Sequence, residues 1–62
     1  MATSRRADGP TPNGGAYSEI YFLSADGTLT DEGRAAKAEI VEYTDAGKPV
    51  HRTYVTLGKE TQ

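Results

Sequence analysis

The apolar residues of this 62-residue chain gather in three runs, each bounded by polar turn formers. The first run is Tyr17, Ile20, Tyr21, Phe22 and Leu23, the second Ile40, Val41 and Tyr43, and the third Val50, Tyr54, Val55 and Leu57. β-Branched and aromatic residues of this kind favour strands. The spacing predicts strands over residues 16–24, 38–44 and 50–57. In the first, Ile20 and Phe22 share one face, and Tyr17, Tyr21 and Leu23 share the other, because side chains alternate along a strand.

Between the first two runs the pattern changes. Thr30 suits a helix N-cap, Asp31 and Glu32 suit a first turn, and Arg34-Ala35-Ala36-Lys37-Ala38 propagates well. A short helix is expected over residues 31–37. The fold class expected is therefore α+β: a small three-stranded antiparallel sheet with this helix between its first two strands. The alternative is β-α-β, with one longer helix over 31–44. That helix would align Leu29, Ala36, Ile40 and Tyr43 on a stripe and use Gly47 as its C-terminal stop. Gly33 in the first turn, three acids near the end and the β-branched residues of 40–44 weigh against it.

Asp45-Ala46-Gly47-Lys48 predicts a hairpin between the last two strands, in the form of a type I turn followed by a bulge. Pro49 belongs at a strand start or an edge, since it has no N–H to donate. If Thr44 faces Pro49, Tyr43 meets Val50, Ile40 meets Thr53 and Ala38 meets Val55. Ala38, Ile40, Val55 and Leu57 then share one face, and Val41, Tyr43, Val50, Arg52 and Tyr54 the other. A slip of one residue would exchange the faces. Ala25-Asp26-Gly27-Thr28 predicts a second turn.

Residues 1–15 contain no large apolar residue after Met1 and carry Pro10 and Pro12, so a disordered N-terminal arm is expected there. The single small domain is expected over 16–58 and a polar tail over 59–62.

Tyr43-Thr44-Asp45-Ala46-Gly47-Lys48-Pro49-Val50-His51-Arg52 resembles the hairpin of tyrosine–aspartate repeat proteins. Thr44 interrupts the Tyr-Asp pair, and no second copy of the motif is evident. Such repeats depend on stacked neighbours. Leu29-Thr30-Asp31-Glu32-Gly33-Arg34-Ala35 is similar to a helix start of winged-helix regulators. Both matches are local, and no family follows from them.

Composition narrows the chemistry. The chain has no cysteine and one histidine, which leaves no disulfide and too few ligands for a zinc site. A chain this short buries only ~60% of its unfolded surface, so homodimerisation is one expected way to complete the core. Mean hydropathy is −0.65. No apolar run approaches the ~20 residues of a membrane helix, and no export signal follows Arg5-Arg6, so cytoplasmic residence is the default. Arg5, Arg6 and Asp8 leave +1 on residues 1–15, whereas five basic against eight acidic side chains leave −3 on residues 16–62. An acidic body argues against general phosphate-backbone binding.

No catalytic constellation, metal site or cofactor site is expected. Histidine is the only side-chain type whose unperturbed pKa lies near neutrality, and Thr53 and Glu42 could lie close to His51 on a paired strand, but His51 reads as an exposed strand histidine. Glu19, Glu39 and Glu42 read as surface acids. Tyr17, Tyr21, Tyr43, Arg52 and Tyr54 stand out as candidate partner-binding residues, because tyrosine and arginine concentrate at interface centres. The expected function is that of a small non-enzymatic protein-binding module, a regulator or inhibitor of a larger protein or nucleic-acid-processing complex. The alternatives are a single-stranded nucleic-acid binder that stacks bases on the tyrosines, or a structural subunit that homo-oligomerises.

Overall fold

A computed structural model describes residues 2–57. It contains one four-stranded antiparallel sheet in the order β1-β2-β3-β4. The strands are β1 (Ser4–Asp8), β2 (Tyr17–Leu23), β3 (Lys37–Tyr43) and β4 (Pro49–Thr56). The three strands expected from the apolar runs are all present, each within a residue or so of its expected bounds. The expected tail over 59–62 lies outside the described residues. No helix of the described residues is long and apolar enough to cross a membrane.

Two expectations are overturned. The sheet has four strands, and neither the 31–37 helix nor the alternative 31–44 helix forms. Only a single 3₁₀ turn, Glu32–Arg34, stands in their place. Its N-cap is Asp31, whose side chain accepts from the Arg34 N–H at 3.1 Å, so Thr30 does not cap it. The Thr30 N–H instead donates to the Phe22 carbonyl at 2.9 Å, and the Ala36 N–H donates to the Leu23 carbonyl at 2.9 Å. Both ends of the segment are tied to β2, which leaves too little chain for the alanine-rich stretch to extend its first turn. Local propensity here gives way to sheet pairing.

The fourth strand arises within the expected arm. Ser4–Asp8 pairs with β2, with Arg5 opposite Ile20 and Arg6 opposite Glu19. The Phe22 N–H donates to the Thr3 carbonyl and the Gly9 N–H to the Ala16 carbonyl, at 2.9 and 3.1 Å. These backbone groups, in β2 and just before it, would otherwise lie unpaired on an open edge.

The β2–β3 register sets Ile20 against Ile40 and Phe22 against Ala38. The β3–β4 register sets Ile40 against Thr53 and Ala38 against Val55, as the hairpin pattern predicts. An irregularity at Glu42/Tyr43 places Tyr43 against Pro49 rather than Val50. Val50 becomes the extra residue of a bulge.

The same turn occurs three times. In Thr11–Gly15, Ser24–Thr28 and Thr44–Lys48, the first residue's N–H donates to the fifth residue's carbonyl, and the fourth residue's N–H donates back to the first carbonyl. The fourth residue is always glycine at positive φ: Gly14 (92°), Gly27 (92°) and Gly47 (86°). This is the three-residue hairpin connection with a left-handed glycine. Its signature, Ser/Thr-x-x-Gly, is legible in the sequence at all three places. The chain therefore does repeat its turn, although it does not repeat the Tyr-Asp motif.

The main core cluster lies on one face of the sheet, and Val41 is buried on the other. Phe22, Ala35 and Ala38 form its buried centre, with Ile20 and Leu57 packed against them. Ala35 reaches this face from the connection between β2 and β3 and is fully buried.

Candidate functional site

The opposite face carries the tyrosines. Strand alternation and the observed registers place Arg6 on β1, Tyr17 and Tyr21 on β2, Tyr43 on β3, and Arg52 and Tyr54 on β4 on this one side. Every residue singled out for partner binding, Tyr17, Tyr21, Tyr43, Arg52 and Tyr54, therefore shares a face. The structure adds Arg6, which lies in the expected N-terminal arm. No signal marks it, because Arg5-Arg6-Ala7 lacks the apolar and β-branched residues that reveal strands.

The face is internally organised. Tyr17 and Tyr43 are directly opposed, and their rings stack at a centroid distance of 5.2 Å and an interplanar angle of 20°. The Arg6 guanidinium lies over the Tyr17 ring at 4.1 Å, a cation–π contact, and also pairs with Asp8 at 2.7 Å. The Tyr21 and Tyr43 hydroxyls lie 3.1 Å apart. That hydrogen bond, reinforced by burial, pushes the Tyr21 phenol up to about 12. Arg52 pairs with Glu39 at 2.9 Å, and the Tyr54 hydroxyl donates to the same Glu39 carboxylate at 3.3 Å. Val41 is buried at the centre of the face. Tyr21, Tyr43, Val41, Leu23, Glu39 and Arg52 line a shallow depression of about 370 Å³, together with Leu29.

The other face holds a smaller depression of about 260 Å³, bounded by the first turn and by Ser18, Ile40, Glu42 and Thr53. Glu42 is buried here, which corrects its reading as a surface acid. The Asn13 backbone N–H and side-chain amide donate to its two carboxylate oxygens at 3.0 and 2.8 Å. Hydrogen bonds from the Thr11 and Asn13 side chains hold the carboxyl below the usual range. Glu42 thus fastens the first turn to the end of the sheet.

Glu42 also faces His51 across the β3–β4 ladder. The His51 Nδ1 lies 4.0 Å from the Glu42 carboxylate and 3.3 Å from the Thr53 hydroxyl. A nucleophile–base–acid relay needs the two ring nitrogens to serve different partners. Both neighbours here approach Nδ1, so the arrangement is a polar cluster on a solvent-facing strand. Asp26 accepts from the Ser24 hydroxyl and from the Thr28 N–H and hydroxyl, and these bonds pull its carboxyl down to about 2. They complete a turn. Among the described residues, no three His, Cys, Asp or Glu side chains converge as a metal site.

No protein-family model, curated protein or solved structure matches this chain.

Proposed function

We propose that this chain is a small non-enzymatic binding module whose tyrosine face docks onto a partner protein, as a regulator or inhibitor of that partner. The observation that carries the reading is the gathering of Tyr17, Tyr21, Tyr43, Arg52 and Tyr54, with Arg6, on a sheet face over which no second layer packs among the described residues. Tyrosine and arginine supply large contact area together with directed polar groups. The Tyr17–Tyr43 stack and the Arg6 and Arg52 ion pairs hold these side chains in place before binding, which lowers the entropy that docking must overcome.

Charge favours protein over nucleic acid as the partner. Asp8 pairs with Arg6 and Glu39 with Arg52, so both arginines of the face are locally compensated. A phosphate backbone needs uncompensated cations, and the Tyr17 ring, stacked on Tyr43 and covered by Arg6, offers a base no open face. The test is affinity capture from the native host, with wild-type and Tyr54→Ala proteins compared. Tyr54 is the most exposed of the four tyrosines, and its removal leaves the Tyr17–Tyr43 stack intact. Partners enriched by the wild type and lost with Tyr54→Ala support the reading. Equal recovery by both proteins overturns it. Salt-sensitive binding of single-stranded oligonucleotides at about 50 mM salt would transfer the face to nucleic acid instead.

A further inference from the structure

The two edges of the sheet are unlike. β1 is short, and Arg5, Arg6 and Asp8 make three of its five residues charged. Charges of this kind protect an edge from further pairing. β4 is eight residues long, exposed throughout, and carries Arg52 as its one Arg, Lys, Asp or Glu residue. Three of the four exposed large hydrophobic residues among those described, Val50, Tyr54 and Val55, lie on β4.

The outward hydrogen-bonding positions of β4 follow from one contact. The Leu57 N–H donates to the Ala36 carbonyl of the β3 side at 2.9 Å. Backbone groups alternate along an antiparallel strand, so Arg52, Tyr54 and Thr56 direct their N–H and C=O groups away from β3.

We infer that β4 pairs antiparallel with β4 of a second copy of this chain, about a two-fold axis through Thr53, joining two sheets into one. A two-fold normal to the sheet requires one residue to face its own copy. With Thr53 on the axis, Arg52 of each copy faces Tyr54 of the other, and these are outward-directed positions that exchange N–H and C=O bonds. His51 faces Val55, Val50 faces Thr56, and no like charges meet. Each guanidinium comes beside an aromatic ring, an opposed pair that favours the ladder. Centring on Arg52 would oppose two guanidinium groups. Centring on Tyr54 would shorten the ladder and leave Val50 unpaired. Thr53 is thus the axis that joins full overlap with charge complementarity. The pairing carries the tyrosine face without interruption from one copy to the next, and it stands independently of what that face binds.

The pairing is tested by sedimentation of the intact chain over rising concentration. The wild type converts from monomer to dimer. Thr53→Lys and Thr53→Glu each place like charges on the axis and move the midpoint at least about tenfold higher, while an equimolar mixture of the two restores a dimer. Thr53 faces away from the tyrosines, so both variants keep the proposed partner-binding face and its loss can be scored separately. Thr53→Cys, the only thiol then in the chain, closes a Cys–Cys link in mild oxidant, and Tyr54→Cys links far less. Each variant's circular dichroism spectrum confirms that it is folded. A wild type still monomeric at about 1 mM, where even a millimolar complex is half formed, overturns the inference. Assembly beyond a dimer, or a dimer indifferent to charge at position 53, does so too.

Discussion

Tyr17 and Tyr43 face each other across the β2–β3 ladder with stacked rings 5.2 Å apart, and Arg6 covers the outer side of Tyr17 at 4.1 Å. Offset aromatic pairs contribute ~0.5–1.5 kcal/mol beyond the area they bury. A double-mutant cycle with Tyr17→Ala and Tyr43→Ala, followed by urea denaturation, is expected to give a coupling of about that size. A parallel cycle with Tyr17→Ala and Tyr54→Ala, which share no contact in the structure, is expected to be additive. Equal coupling in both cycles would show that the stack is not the source.

The Tyr21 phenol provides a spectroscopic signature of the same face. Its value is pushed up to about 12 by the Tyr43 hydroxyl and by burial, from an ordinary 10.0. A raised phenol favours the folded state while it stays protonated. That stabilisation is complete below the unfolded value of 10.0 and is lost as pH rises toward about 12. Absorbance titration near 295 nm is expected to show one tyrosine ionising late. Tyr43→Phe removes the hydroxyl partner and moves the late phase to lower pH. An unchanged titration in that variant would separate Tyr21 from Tyr43.

Acid acts on the other face. The Thr11 and Asn13 bonds hold the Glu42 carboxyl below its ordinary 4.5, so its contribution is present above that value and is lost as pH falls through the depressed one. The first turn is then released from the sheet. Asn13→Ala is expected to raise the acid-unfolding midpoint, and Glu42→Gln to flatten the acid limb and lower the melting temperature at pH 7 by several degrees. Identical acid profiles for the wild type and Glu42→Gln would remove Glu42 from this role.

The repeated turn predicts which glycines tolerate a side chain. Gly27 and Gly47 sit at φ of 92° and 86°, where an L-residue costs ~1–2 kcal/mol, so Gly27→Ala and Gly47→Ala should each lose about that much. Gly15→Ala should lose more, because its Cβ would come within 2.9 Å of the Tyr43 carbonyl and 2.7 Å of the Thr11 hydroxyl. Gly33→Ala meets nothing nearer than the Asp31 carboxylate at 3.8 Å and should be neutral or slightly stabilising, through its effect on the unfolded chain. Thermal melts of the four variants give this order directly. A Gly33→Ala variant as damaging as Gly27→Ala would contradict it.

Much of the architecture is written locally. Alternating apolar residues define β2, β3 and β4, Asp45-Ala46-Gly47-Lys48 defines the last hairpin, and alternation alone brings Tyr43, Arg52 and Tyr54 to one side. The Ser/Thr-x-x-Gly recurrence at 11–14, 24–27 and 44–47 was also available in the sequence. Other features have no local signature. Ser4–Asp8 becomes a strand because β2 presents an edge of unpaired backbone groups, and Arg6 joins the tyrosine face only through that pairing. Asp31–Lys37 has helical propensity but is held at both ends by β2, so a single turn survives. Glu42 looks like any surface acid until Asn13, twenty-nine residues earlier, folds over it. Strands and turns that depend on neighbours a few residues away are legible locally, through side-chain alternation and glycine at positive φ. β1, the loss of the helix and the burial of Glu42 arise only in the assembled fold, because each depends on backbone and polar groups that distant segments must satisfy together.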